Sequence, residues 1–76
     1  MRAIEVLWKD ANTASGWLTR EEALATLPQL CRSIGYLLLQ DKEQLIIVQS
    51  VQEGNEDVGD ALCLPIDSVL DIKDLT

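Results

Sequence analysis

Leu45-Ile46-Ile47-Val48-Gln49-Ser50-Val51 decides the fold. Ile46, Ile47, Val48 and Val51 are β-branched, and such side chains are stiff about χ1 and pack best on a pleated surface. The run is bounded by Asp41-Lys42-Glu43 on one side and Glu53-Gly54-Asn55-Glu56-Asp57 on the other, both rich in residues that turn the chain. A short apolar run between two turn signals reads as a strand.

The neighbours follow the same grammar. Leu30 to Gln40 reads as a strand that pairs back across the Asp41 turn, with Gly35 inside it marking a bulge or a sharp bend. After the Glu53–Asp57 loop, where Gly54-Asn55 tolerates positive φ, a fourth strand is expected near Asp60 to Leu64. Pro65-Ile66-Asp67-Ser68 then makes one tight turn, and Val69 to Ile72 a short fifth strand. At the other end, Ile4, Val6 and Trp8 alternate with Glu5, Leu7 and Lys9, the period of a half-buried first strand over about Ala3 to Lys9. Asp10 to Gly16 is a polar loop with Trp17 at its exit. Thr19-Arg20-Glu21-Glu22 fits a capping box, so a short helix starts there; Leu24 and Leu27 share a face and Pro28 ends it.

These elements predict a mainly β fold: a small five-stranded SH3/Sm-like antiparallel barrel with one short α-helix inserted between strands 1 and 2. Residues 1–76 form a single domain, because a chain this short buries only about 60% of its unfolded surface and has no material for a second core. The helix is expected to cover one end or one open side. Leu37 to Leu39 and Ile46 to Val48 are apolar on both faces, whereas a barrel this small has an interior for one face only. A homo-oligomer is therefore the preferred reading, with a monomer carrying an apolar patch as its alternative.

The chain has six basic and thirteen acidic side chains and a formal net charge of −7. The excess sits in residues 53 to 76, which hold seven acids against Lys73 alone. Such a field disfavours nucleic-acid polymers and anionic membranes as partners, although a small anion held by local donors is compatible with it. No apolar run has the length of a signal peptide core or a membrane span, so a cytoplasmic location is expected. Cys31 and Cys63 are then expected to be free thiols behaving as small buried hydrophobes.

Two resemblances attach to particular residues. Gly35-Tyr36-Leu37, Asp41, Leu45 to Val48, Leu64-Pro65-Ile66, Val69 and Ile72 together are similar to the two signature halves of Sm-like small β-barrel proteins. The resemblance implies a glycine that permits extreme strand bending, an aspartate that closes the hairpin, and a last strand that pairs with a neighbouring subunit in a ring. The family's RNA pocket is not carried over, since Gln44-Leu45 and Pro65-Ile66 stand where it has its Asn and its Arg-Gly pair. The order Trp8-Lys9-Asp10-Ala11, Ser15-Gly16-Trp17, Glu21-Glu22-Ala23, Cys31, Gly35-Tyr36-Leu37, Gln49-Ser50 and Leu64-Pro65 resembles a group of short accessory proteins encoded by tailed bacteriophages. That resemblance implies a viral protein acting in the bacterial host cytoplasm, where small phage oligomers occupy a host protein or a nucleotide messenger of an immune system.

Histidine is absent, which removes the commonest general base, the Ser-His-Asp and Cys-His nucleophile sets, and imidazole metal ligands. No phosphate-cradling glycine loop is present, and two cysteines are too few for a zinc site within one chain. The sequence is therefore read as non-enzymatic, with no catalytic residue, no cofactor and no metal. Glu56, Asp57 and Asp60 read as a solvated hairpin loop rather than a cation or acid–base site. The sharpest hint of binding is Trp17 beside Asn12, Thr13 and Ser15, a platform on which a nucleobase stacks while hydroxyls and amides take its polar edge. Arg20 and Arg32 are the candidates to meet a phosphate, with an ordinary ion pair as the commoner fate of each. For Trp17, as for Trp8, core packing is the commoner role, because a chain with no phenylalanine draws its bulk from tryptophan.

The functional expectation is an oligomeric, phage-encoded binding protein that sequesters a small nucleotide immune signal of the host. Its alternatives are an acidic module that docks on a host protein, by DNA mimicry or as an adaptor, and a minor structural protein of the virion.

Overall fold

The computed structural model describes residues 1–76. In chain order the elements are β1 (Ala3–Asp10), α1 (Arg20–Leu24), β2 (Gln29–Gln40), β3 (Gln44–Val51), β4 (Val58–Pro65), a single 3-10 turn (Ile66–Ser68) and β5 (Val69–Asp74). The five strands form one sheet in the order β4-β3-β2-β1-β5, and every adjacent pair is antiparallel. The expected five strands and the helix between the first two are all present. Several strands run longer than the sequence reading placed them, because ladder hydrogen bonds continue past the last apolar residue. β4 takes in Pro65, opposite Gln44, and β5 extends to Asp74, opposite Ile4. β4 and β5 stand at the two ends of the order and share no ladder.

β2 is the backbone of the molecule, since its two halves serve different partners. Gln29 to Tyr36 pairs with β1, whereas Tyr36 to Gln40 pairs with β3. The handover falls at Gly35, where an added Cβ would stand 2.9 Å from the carbonyl oxygen of Val48 and 3.2 Å from Ile47 Cβ. Only glycine lets the two backbones approach this closely. The bulge itself lies farther on, with Leu38 as the extra residue between the pairs Leu37–Ile47 and Leu39–Ile46. Gln49 caps the change of partner by donating from Nε2 to the Ile34 carbonyl at 2.7 Å. Asp41 closes the β2–β3 turn: its Oδ1 accepts from the backbone N–H of Glu43 and of Gln44, each at 2.8 Å.

One face of the sheet carries the core. Residues directly opposite in a ladder share a face, so Ile4, Val6 and Trp8 point the same way as Gly35, Ser33 and Cys31. Ile4, Val6, Leu45, Ile47 and Leu64 form the buried cluster, and Trp8, Leu37, Leu62, Ile66, Val69 and Ile72 pack around it. All five strands thus feed one small core, which requires a strongly coiled sheet. Val48 is buried apart from that cluster, opposite Tyr36.

The chain nevertheless keeps little from water. Only seven of 76 residues are buried, and the accessible surface is 5900 Å². A compact monomer of this mass, 8.4 kDa, would expose about 4,600 Å². The radius of gyration, 16.0 Å, likewise exceeds the roughly 11 Å expected of a compact chain this long. The molecule measures 55 × 22 × 20 Å. This shape departs from the expected compact barrel, and residues 11–28 account for the departure. They leave the sheet after the last β1–β2 pair, Asp10–Gln29, and return to it as an arm whose residues are almost all exposed.

Candidate binding site

The arm is built from short-range chemistry alone. Thr19 Oγ1 accepts from the Glu22 N–H at 3.1 Å, and the Glu22 carboxylate accepts from the Thr19 N–H at 3.2 Å, so the capping box read in the sequence is formed. Asn12 ties the outgoing limb to the returning one by donating from Nδ2 to the Leu27 carbonyl at 3.0 Å. Gly16, at φ 85, supplies the positive-φ bend ahead of Trp17. No residue of α1 is buried, and Leu24 and Leu27 are 84% and 71% exposed. The helix therefore does not cover an end or side of the sheet, as was expected of it. Leu24 and Leu27 are too small an apolar face to hold five helical residues down against the entropy of ordering the loops on either side.

Core packing does not hold for Trp17, whose side chain is wholly exposed. A ring this exposed is packed against no core residue. Trp8 does pack against the core, and its indole Nε1–H donates to Ser33 Oγ at 3.0 Å. Thr13, Ser15 and Arg20 are exposed on the arm alongside Trp17. The two ion pairs of the chain, Arg2 with Asp74 and Arg32 with Glu5, leave Arg20 free. Arg32 is separated from the others: it lies on the outward face of β2 opposite Leu7, with its guanidinium on the Glu5 carboxylate. The structure thus gathers Asn12, Thr13, Ser15, Trp17 and Arg20 on one protruding segment and places Arg32 on the sheet beyond its root. None of the six lines a depression of its own chain.

Two depressions exist, and neither was read from the sequence. The larger, about 830 Å³, lies at the end of the β1–β2 ladder away from the arm, where Met1, Tyr36, Leu38, Gln49, Val51 and Val58 form its floor and walls. The extra residue at the β2 bulge, Leu38, and the β3–β4 hairpin create it together. The smaller, about 400 Å³, lies at the root of the arm between the end of β1 and β4, with Trp8, Ala11, Leu62 and Pro65 in its lining. Both arise from sheet coiling, which brings together residues distant in sequence. Outward-facing Ile34, Tyr36 and Leu38 form an apolar patch on β2 beside the larger depression, separated from Leu30 at the root of the arm by the Arg32–Glu5 ion pair.

The acidic residues take two places. Glu53, Glu56, Asp57 and Asp60 are exposed about the β3–β4 hairpin, whose loop is tied by local bonds: Gln52 N–H donates to the Asp57 carbonyl at 2.7 Å, and Asn55 Oδ1 accepts from Asp57 N–H at 3.0 Å. They do not gather into a set of three metal ligands. Asp74, on β5, accepts from the backbone N–H and the hydroxyl of Thr76, which, with Arg2 nearby, hold its carboxyl below the usual value of 3.8. The cysteines are both free, Cys31 half-buried and Cys63 exposed on β4, so Cys63 is not the buried hydrophobe expected of it.

No helix is long and apolar enough to cross a membrane. No family model, no curated protein and no solved structure matches the chain.

Proposed function

We propose that the chain is a non-enzymatic, homo-oligomeric binding protein of phage origin that captures a small nucleotide signal in the bacterial host cytoplasm. The observation that carries this reading is Trp17: an indole held wholly in water on an arm with Thr13, Ser15 and an unpaired Arg20. A large apolar ring kept out of the core of a chain with so little core is a stacking surface waiting for a partner. Hydroxyls take the polar edge of a base, and the free guanidinium takes a phosphate in a bidentate grip. An acidic body with one such local donor favours a small anion over a polymer, because a nucleic-acid backbone would lie along the carboxylates as well.

The body is an SH3/Sm-like barrel in this reading. Support comes from the strand order with β5 beside β1, the 3-10 turn between β4 and β5, the close approach of β3 to Gly35 and the single core fed by all five strands. Neighbouring copies, arranged as a ring, supply the second wall of the ligand site.

Isothermal titration calorimetry against cyclic and linear nucleotides tests the proposal. At least one member is expected to bind, and Trp17→Ala is expected to abolish that binding without changing the far-ultraviolet spectrum. Absence of heat with every member at high micromolar concentration overturns it. The exposed acids of the β3–β4 hairpin favour a second reading, docking on a basic host protein. Its signature is capture from bacterial lysate that weakens steeply with salt and is lost on charge reversal of Glu53, Glu56, Asp57 and Asp60.

A further inference from the structure

The arm poses a physical problem that its own chain does not solve. Trp17, Leu24 and Leu27 stand in water, and beyond the Arg32–Glu5 ion pair Ile34, Tyr36 and Leu38 expose an apolar stripe on the outer face of β2. The depression at the far end of that stripe is about 830 Å³. It lies beyond the Ala3–Tyr36 end of a ladder whose opposite end, Asp10–Gln29, is the root of the arm. At about 3.3 Å per residue, the ladder holds the two more than 20 Å apart, so an arm directed away from the sheet does not reach its own depression.

The exposed area indicates what covers them. The surface beyond that of a compact monomer amounts to roughly 1,300 Å² per chain. A standard stable interface takes about 800 Å² from each partner, and obligate homo-oligomers take more. One chain therefore carries as much surplus surface as an obligate interface would remove. It carries both halves of the contact too: a projecting apolar arm and, out of the arm's reach, an apolar stripe that ends in a depression. Such a pairing is satisfied by another copy of the same chain.

We infer that the chain assembles by arm exchange, with Trp17, Leu24 and Leu27 of each copy seated on the outer β2 face of a neighbour, between Ile34 and the depression beside Tyr36 and Leu38. The inference rests on the oligomeric part of the proposed function and specifies how the copies meet. It also makes the ligand site composite: the Trp17 platform of one copy faces Tyr36, Gln49 and Ser50 of the next, so a base is enclosed by two aromatic rings from different chains. Arg20, unpaired within its own chain, comes within range of the neighbour's Glu53 and Glu56 at the same rim, and an anionic ligand there competes with those carboxylates for it.

Full-length variants test the mode of assembly by light scattering coupled to size exclusion. Leu24→Ser/Leu27→Ser breaks the arm and leaves the stripe; Ile34→Glu/Leu38→Glu breaks the stripe and leaves the arm. All four side chains are more than 40% exposed within one chain, so both variants are expected to keep the wild-type far-ultraviolet spectrum. Each alone is expected to fall to the mass of a single chain, 8.4 kDa. Mixing the two is expected to restore a heavier species, since an intact arm then meets an intact stripe. An arm variant that keeps the wild-type multimeric mass overturns arm exchange while leaving the oligomeric reading in place. A monomeric wild type overturns both, whatever the nucleotide titrations give.

Discussion

Replacing Gly35 with alanine isolates the contact on which sheet coiling depends. The added Cβ would sit 2.9 Å from a backbone oxygen, Val48 O, and 3.2 Å from Ile47 Cβ. Neither neighbour is the free end of a flexible side chain, and both belong to β3, the strand paired with the second half of β2. Overpacking of this kind costs about 1–3 kcal/mol. Glycine in a strand is itself unfavourable by roughly 0.5–1 kcal/mol relative to alanine, so the net loss comes to about 1–2 kcal/mol. A domain of this size moves by about 4–8 °C per kcal/mol, which places the fall in melting temperature at roughly 5–15 °C. Gly59→Ala is the matched control, because its Cβ would meet only Ser50 Cβ at 3.8 Å, an ordinary contact. The assay is thermal unfolding followed by far-ultraviolet circular dichroism at matched protein concentrations, since assembly makes melting temperature concentration-dependent. If Gly35→Ala melts within about 1 °C of wild type, or Gly59→Ala falls as far, steric closure at the β2 handover is the wrong explanation of why glycine stands there.

The two tryptophans should behave as opposites in urea unfolding. Ser33→Ala strands the Trp8 indole N–H in a half-buried site and is expected to cost about 1–3 kcal/mol, whereas Trp17, which packs on nothing in its own chain, should act only through assembly, so that any shift of the midpoint in Trp17→Ala varies with protein concentration. Thr19→Ala removes the capping box, a local loss of about 1 kcal/mol; hydrogen exchange at Glu22 and Ala23 should quicken while the sheet amides keep their protection, because α1 buries nothing within its own chain. Asp74 bears on pH. Its carboxyl is depressed by the Thr76 bonds first and by Arg2 last, so its stabilising contribution is complete above the unfolded value of 3.8 and is lost as pH falls through the folded value. Comparison of Asp74→Asn with wild type should show a small wild-type advantage above the unfolded value of 3.8 that disappears only once pH has fallen through the lower folded value.

The strands were legible because their side chains obey the period of a pleated sheet, and the turns because Asp41 can accept from the backbone that follows it, Gly54 reaches positive φ without strain and Pro65 fixes its own φ. The capping box at Thr19 and Glu22 was legible for the same reason, as a local bargain between a hydroxyl, a carboxylate and two N–H groups. What the helix would do was not. Leu24 and Leu27 have the spacing of a buried face, and spacing does not tell whether a surface of the same chain is within reach. The signal that was available is length: residues 11–28 join two strands that pair directly, far more chain than a hairpin needs, and connections of that size in a small domain tend to carry function. Trp17 was misplaced by an argument from composition, which sets how much bulk a core needs but not which tryptophan supplies it. The larger depression was invisible because Tyr36, Leu38, Gln49 and Val58 come together only once the Leu38 bulge and the coil of the sheet are known.

The claim beneath the rest is that the apolar arm and the outer face of β2 are dry in the working molecule. Native mass spectrometry of the freshly purified full chain across micromolar concentrations tests it most directly. The account predicts a single multiple of 8.4 kDa that persists on dilution, with any captured nucleotide visible as added mass. A lone 8.4 kDa species at every concentration would contradict it.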